Sequence, residues 1–216
     1  MRKQKPDARF YRRNLPHIQP ENAVLFITYN LDGAIPKKVI ERLRLERELK
    51  IKELEQQDFP SSEIRHLISQ THEFYFGKYD ALLDGATTGP TYLKQPEVAD
   101  EVMKSLHWVQ EKMLYKLVCY TIMSNHVHKV VYKTQKPLWR IMQSHKSFTG
   151  IKCNKIIGRE GALWQHESFD HKVRNRQKFI EKVQYTLMNS VKAGLVRNWR
   201  DYPYSYLNPE FEKYAP

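Results

Sequence analysis

Apolar and polar positions along the first half of the chain predict one β-strand followed by two long helices. Residues 23–29 are an almost unbroken run of apolar, β-prone side chains, and the turn-prone residues 30–33 end it. From about 36 to 57, strong helix formers place leucine and isoleucine among many charges, which is typical of a solvated amphipathic helix. A second helix is predicted to begin at the serine pair 61–62 and to run toward Leu83. We expect these two helices to form an insertion after the first strand.

The second half of the chain mixes helical and strand patterns. In order, the predicted elements are a helix at 91–110, strands at 115–123 and 127–132, a basic helix at 138–157, an extended stretch at 163–174 and a helix at 175–194. Ser124 and Asn125 make a tight connection between the two strands, and Gly194 is suited to end the last helix. This order predicts an α+β sandwich in which helices pack on a mostly antiparallel sheet.

The chain is expected to form one domain with short flanking segments. Its 216 residues can build one generous core, and no repeat or low-complexity tract divides them. We expect a basic N-terminal segment at 1–22, a single domain at 23–206 that includes the helical insertion at 36–90, and a C-terminal tail at 207–216.

The chain is strongly basic. Its 36 lysine and arginine residues are spread over the whole length, and they give a formal net charge of +12 and a pI of about 9.6. A polyanion is the natural partner, because each neutralised phosphate releases condensed counterions. A membrane surface is the alternative partner for basic charge, but no apolar run approaches the roughly 20 residues that span a bilayer.

The sequence also bears on where the protein works. The N-terminal residues are basic, but no apolar segment follows them, so they do not form a secretory signal. Cys119 and Cys153 are isolated from each other, so neither a zinc-chelating pair nor a redox motif is present, and both are expected to be ordinary thiols. We expect an intracellular protein, located in the cytoplasm and associated with the nucleoid.

Two histidines form a candidate metal site. His126 and His128 lie at the start of a predicted strand, where side chains alternate, so both imidazoles project from the same face and Val127 from the other. The apolar residues on either side indicate an interior strand, where imidazoles without partners would cost roughly 1–3 kcal/mol each. A metal ion or a phosphate would satisfy them. The pair by itself is a weak motif in a chain with nine histidines, and a surface position is the alternative.

Tyr185 is the candidate nucleophile. It lies roughly 160–200° around the predicted helix from Val183 and Leu187, so it is outside the apolar stripe, and Asn189 follows one turn later on the same face. A phenol with a pKa of about 10 is ionised in only about one molecule in a thousand at pH 7, and a nearby dication favours the ionised form. The alternative is a boundary residue with no chemical role.

Several short motifs resemble those of one enzyme family, and they occur in a fixed order between about residues 115 and 206. The motifs are Met123-Ser-Asn-His-Val-His128, Ser147-Phe-Thr149, Leu163-Trp-Gln165, Phe169-Asp-His171, Arg174, Tyr185-Thr-Leu-Met-Asn-Ser-Val-Lys-Ala-Gly194 with Leu195-Val196, Trp199 and Asp201-Tyr-Pro-Tyr-Ser205. Together they resemble the REP-associated tyrosine transposases, which belong to the single-tyrosine HUH transposases. The strand at 23–29 and the helices after it resemble the N-terminal half of that family.

This resemblance implies a fold, a reaction and a set of site residues. The fold would be RRM-like or ferredoxin-like, with the two HUH histidines on a central strand and the tyrosine on a C-terminal helix. The reaction would use Mg²⁺ or Mn²⁺ to cleave single-stranded DNA at repeat hairpins, leaving a 5′-phosphotyrosine and a free 3′-hydroxyl. By position, His126 and His128 match the HUH pair, Tyr185 matches the nucleophile, and Asn189 stands where similar enzymes supply a third metal ligand.

The sequence departs from the family pattern at two motifs. The family commonly has proline after the methionine of its histidine motif and an apolar residue after the second histidine, where this chain has Ser124 and Lys129. In the tyrosine motif, Ser190 stands where the family commonly has proline, and Met188 stands where it has asparagine. Neither departure removes a proposed metal ligand.

Further residues are candidates for DNA contact. Basic and hydroxyl side chains on the helix at 138–157 are suited to backbone phosphates, and aromatic or histidine side chains near the expected active face are suited to stacking on bases. Trp164 has packing in the core as its alternative role, and the lysines have a solvated basic face. The candidates are Lys146, Ser147, Thr149, Lys152, Lys155, Trp164, His171 and Arg174, together with Arg12 and Arg13 of the N-terminal segment.

Two other functions compete with the transposase hypothesis. The first is a catalytically weak or inactive regulator, derived from a transposase, that binds hairpins and shares every basic and aromatic feature. The second is a zinc-dependent hydrolase that uses the two histidines, which is weaker because no third histidine or acidic residue lies near them at typical ligand spacing in the sequence. Whether the protein is a monomer or a homodimer stays open.

Overall fold

The computed structural model describes residues 10–12, 16–18, 23–86 and 88–216. Near the N-terminus, two short strands pair antiparallel: β1 (Phe10–Arg12) and β2 (Pro16–Ile18). The sequence pattern did not predict them, because three residues are too few to show an alternation of apolar and polar positions.

The chain divides into two compact units, Asp32–Pro90 and the remainder. The smaller unit contains the two predicted helices, α1 (Lys37–Glu55) and α2 (Ser61–Asp84), packed against each other as a pair. An ion pair between Lys78 and Glu46, 3.6 Å apart, joins the two helices. Because this pair follows the first strand of the main sheet directly, the helical insertion predicted there is confirmed.

The larger unit is built on a five-stranded sheet. Its strands lie in the spatial order β6, β3, β5, β4, β7, and each described pair is antiparallel. The predicted α+β fold with a mostly antiparallel sheet is therefore confirmed. The strands are β3 (Val24–Asn30), β4 (Lys116–Ile122), β5 (His126–Tyr132), β6 (Phe169–Val173) and β7 (Ser205–Leu207).

Three helices of this unit cover the two faces of the sheet: α3 (Pro96–Glu111), α4 (Leu138–Ile157) and α5 (Arg176–Lys192). Helix α5 lies across β4, β5, β6 and β7. Helices α3 and α4 pack against each other on the opposite face, where the Tyr29 hydroxyl lies 2.7 Å from Nε2 of His145 on α4. The α5 face and the α3–α4 face are thus separate layers around a central sheet.

Strand register decides which side chain belongs to each face. Thr28 pairs with His128, so both project to one face, while Tyr29 pairs with Val127 and projects to the other. Helix α5 is held in place locally by Asn175, whose side-chain oxygen accepts a hydrogen bond of 2.8 Å from the Lys178 amide.

Two parts of the chain differ from the sequence-based expectation. An extended stretch was predicted at 163–174, but only β6 forms a strand there. The residues from 163 to 168 are irregular, apart from a single bridge between Leu31 and Trp164. The boundary expected between 206 and 207 falls inside β7, and a short 3₁₀ helix at Pro209–Tyr214 places Tyr214 against Phe179 of α5. Aromatic packing, which the sequence pattern does not show, ties these last residues to the larger unit.

Among the described residues, no helix combines the length and the apolar character that crossing a membrane requires.

Candidate active site

The two histidines meet on the α5 face of the central strand. His126 and His128 are on β5, the middle strand of the sheet, and are 1% and 0% exposed. Their Nε2 atoms lie 2.9 Å apart. The alternation of side chains along a strand brings both rings to the same face, and the tight connection at Ser124 and Asn125 places them at the start of that strand.

The outer ring nitrogen, Nδ1, of each histidine has an oxygen partner. Nδ1 of His126 lies 2.6 Å from the side-chain oxygen of Asn125, which only accepts hydrogen bonds, so this Nδ1 carries the proton. Nδ1 of His128 lies 2.7 Å from the Thr28 hydroxyl, which can accept a hydrogen bond in the same way. When the Thr28 hydroxyl accepts, both Nε2 atoms present lone pairs toward each other. Oxygen partners of this kind orient histidines that bind metals.

Burial keeps both imidazoles neutral. Loss of hydration lowers the pKa of His126 to about 3. The pKa of His128 is lowered well below its ordinary value, first by burial and then by the charges of His126, Lys182 and Lys192. Only the neutral imidazole can bind a cation, so both rings are in the ligating form at neutral pH.

The donor set fits a divalent cation. Two nitrogens at neighbouring corners of an octahedron, with metal–nitrogen bonds of about 2.1 Å, are about 3 Å apart. The separation of 2.9 Å between the Nε2 atoms agrees with this value. The two rings therefore have the spacing and the donor atoms of a pair that could hold a metal ion.

Replacing Thr28 with valine is expected to weaken Mn²⁺ binding by about 10- to 100-fold, because Nδ1 of His128 loses the partner that orients its ring. Titration calorimetry would measure the affinity. Thr121→Val is the matched control: Thr121 flanks His128 on the neighbouring strand, and its hydroxyl bonds to Ser205 at 2.9 Å. Equal losses in both variants would contradict an orienting role for Thr28.

Tyr185 lies against the histidine pair. Its ring centroid is 5.6 Å from that of His128, in an edge-to-face arrangement, and 5.9 Å from that of Phe26. The side chain is half-buried on α5, between the exposed and the buried sides of the helix. The structure therefore brings the predicted nucleophile and the predicted metal ligands together on one face of the sheet.

Two lysines that were not predicted from the sequence complete this cluster. The Lys192 ammonium lies 4.4 Å from the centroid of the Tyr185 ring, and the Lys182 ammonium lies 5.6 Å from it. They stand seven residues after and three residues before Tyr185, and both spacings place side chains on the same face of a helix. Helical periodicity around Tyr185 was the signal that could have found them. The cluster therefore carries positive charge beside the phenol.

Asn189 is buried one turn after Tyr185. Its side-chain nitrogen donates a hydrogen bond of 3.1 Å to the Tyr185 carbonyl, which leaves the amide oxygen as the atom suited to a metal. Its role as a third ligand stays a prediction.

The candidates on α4 lie on the sheet face opposite the histidines, and they have different environments. The Lys146 ammonium donates to the carbonyl oxygens of residues 165, 166 and 167, so it holds that loop in place. Thr149 is buried and donates to the His145 carbonyl. Ser147, Lys152 and Lys155 are exposed. Of the five, these last three are placed to meet a phosphate from solvent.

The candidates near β6 divide between the two faces. Trp164 is 5% exposed, packs on Tyr29 and donates its indole N–H to Thr149 at 2.9 Å, so its position is that of a core residue. His171 pairs with Phe26 and therefore projects to the α5 face, and Arg174 is exposed just after the strand. Arg12 ends β1, while Arg13 lies outside the described residues.

Comparisons with known proteins give a similarity in structure and none in sequence. No protein-family model matches the sequence, and no curated protein matches it. Among solved structures, the chain is similar to a REP-associated tyrosine transposase bound to a REP hairpin, with 14% sequence identity and a TM-score of 0.45 over 90% of this chain and 80% of that one. Because the identity and the score are low, the function of this chain has to be argued from its own residues.

Proposed function

We propose that this protein is a metal-dependent enzyme that nicks and rejoins single-stranded DNA at repeat hairpins, with Tyr185 as its nucleophile. One observation carries the proposal: the Tyr185 ring lies against His128, whose Nε2 is 2.9 Å from that of His126. A phenol next to two convergent neutral imidazoles combines a nucleophile with a place for a cation. The net charge of +12 suits a nucleic-acid substrate.

The reaction follows from the chemistry of a phenol and a phosphodiester. The Tyr185 oxygen bonds to phosphorus as the bond from phosphorus to the 3′ oxygen breaks, and that oxygen takes up a proton. The products are a 5′-phosphotyrosine and a free 3′-hydroxyl. Attack of a 3′-hydroxyl on the phosphotyrosine reverses these bond changes, so the same site can join strands without an energy source.

The residues divide the remaining work. His126 and His128 would hold Mg²⁺ or Mn²⁺, with Asn189 as the proposed third ligand. When bound, the cation supplies positive charge to the phosphate oxygens and favours the phenolate. Lys182 and Lys192 lie over the Tyr185 ring and add positive charge where both the phenolate and the incoming phosphate are negative. His171, which projects to the α5 face, and the exposed Arg174 would contact the DNA strand.

The test is the covalent intermediate. The full chain is incubated with end-labelled single-stranded repeat hairpins and Mn²⁺, and a slowly migrating species that resists denaturant is sought, together with the released 3′-hydroxyl fragment. We expect both products with Mn²⁺ and neither with excess chelator. Binding without adduct across a broad set of hairpins would favour the alternative, a regulator that binds hairpins.

Replacing Lys182 and Lys192 together with glutamine is expected to slow adduct formation by about 10- to 100-fold at pH 7, because less charge then stabilises the phenolate and the phosphate. The defect should shrink as the pH is raised, since more phenol ionises without help. Single-turnover rates from pH 7 to pH 9 would measure this. Arg176→Gln is the control on the same helix, because Arg176 lies nine residues before Tyr185, on the opposite side of the helix, and its guanidinium lies 6.0 Å from the centroid of the Tyr214 ring. A defect that does not change with pH would contradict the assigned role.

A further inference from the structure

A second surface with the features of a nucleic-acid site lies on the sheet face opposite the histidines. Here a groove with a volume of about 920 Å³ runs between α3 and α4. We call it the α3–α4 groove, and it is lined by residues of these helices and of the segments next to them, including Trp108, Trp139 and Phe148. None of these three aromatic residues belongs to the active site described above.

Aromatic rings in the α3–α4 groove are open to solvent. Trp108 is 52% exposed and Phe148 is 50% exposed, while Trp139 is half-buried. Exposed aromatic rings keep apolar surface in contact with water. Several such rings lining one groove indicate a binding surface. Each ring also has a cation near its face. The pairs are Lys112 with Trp108 at 5.8 Å, Arg140 with Trp139 at 5.1 Å and Lys152 with Phe148 at 5.8 Å.

The groove wall is positively charged. Lys104, Lys136 and Arg140 line it and are exposed. The acidic residue of the lining is Glu101, which pairs with Lys104 at 3.2 Å. Cations interleaved with flat rings suit a strand whose phosphates and bases alternate along its length. A second copy of the same surface would meet like charge, which opposes self-association through this groove.

We propose that the α3–α4 groove binds a segment of single-stranded DNA, with bases stacked on Trp108, Trp139 and Phe148 and phosphates held by the cations beside them. The central sheet separates this groove from Tyr185, so the bound segment is a different part of the strand from the phosphate attacked. DNA binding in the α3–α4 groove is independent of the proposed cleavage reaction, because it requires neither a metal ion nor the Tyr185 hydroxyl.

Photocrosslinking tests whether single-stranded DNA binds in the α3–α4 groove. The full-length Tyr185→Phe chain is mixed with a single-stranded oligonucleotide containing 5-iodouracil, irradiated, digested and mapped by mass spectrometry. We expect crosslinks to peptides that carry Trp108, Trp139 or Phe148. Crosslinks confined to α5 and to the residues around β6 would overturn the proposal and leave the proposed function untouched.

Affinity measurements test how much the residues of the α3–α4 groove contribute to DNA binding. Lys104→Gln, Lys136→Gln and Arg140→Gln combined should weaken binding of the oligonucleotide at least tenfold at about 0.1 M salt and reduce the salt-dependence slope by about 2. Trp108→Ala should weaken it at least about fivefold.

The matched controls are Lys37→Gln, Lys38→Gln and Lys52→Gln combined, three exposed lysines of α1, and Phe59→Ala, an exposed aromatic residue. Losses no greater than those of the controls, or a protein–protein complex formed through this groove, would overturn the proposal.

Discussion

The Tyr185→Phe variant is expected to form no denaturant-resistant adduct with single-stranded hairpin DNA, while its affinity for that DNA stays within a few fold of the parent chain. Phenylalanine keeps the ring that packs edge-on against His128 and Phe26, but it removes the oxygen that would bond to phosphorus. A missing nucleophile removes the covalent step altogether. Denaturing gels report the adduct, and fluorescence anisotropy reports the affinity.

Tyr214→Phe is the matched control for this experiment. Tyr214 also contacts α5, through Phe179 at a centroid distance of 5.1 Å, but it lies in the C-terminal 3₁₀ helix. This variant should form adduct at the rate of the parent chain. An adduct that survives in Tyr185→Phe would assign the nucleophile to another residue, whereas loss in both variants would indicate a general effect of removing tyrosine hydroxyls.

Replacing His126 and His128 with glutamine is expected to lower Mn²⁺ affinity by more than about 100-fold and to abolish metal-dependent cleavage. Both Nε2 donors disappear, so the loss should exceed the 10- to 100-fold that is typical when only a supporting partner of a metal ligand is removed. Electron paramagnetic resonance of free Mn²⁺ measures the affinity, and the gel assay measures cleavage. Glutamine keeps a polar group at each position, so the Thr28 hydroxyl and the Asn125 amide retain a neighbour that can hydrogen-bond.

The control for the histidine variant is His66→Gln, an exposed histidine of α2. It should bind Mn²⁺ as tightly as the parent chain. Circular dichroism would show whether the sheet survives in the double variant, and each single variant should already lose most of the affinity. Unchanged Mn²⁺ binding by a folded double variant would rule out these imidazoles as ligands.

The local pattern of residues was enough to predict the elements that carry the site. Apolar runs at β3, β4 and β5 and the helical spacing in α4 and α5 are short-range signals, and the structure places these elements within a few residues of the predicted bounds. The shared face of His126 and His128 also follows from sequence, because side chains alternate along any strand. The position of Tyr185 outside the apolar stripe follows in the same way from helical periodicity.

Long-range packing decided which residues from different elements meet at the site. Thr28 supports His128 across one hundred positions of sequence, because strand register pairs them, and no local pattern carries that register. Long-range packing also decides which face of the sheet each helix covers. Helix α5 covers the face with the histidines, and α4 covers the opposite face, so the lysines of α4 lie away from the histidines. The sequence left Trp164 open between stacking on bases and packing in the core, and its contacts with the Thr149 hydroxyl and the Tyr29 ring are those of a core residue. The sequence by itself determined which side chains share an element and a face of that element, because backbone periodicity is local. Only the tertiary structure decided which faces meet, because that choice depends on the packing of the whole sheet.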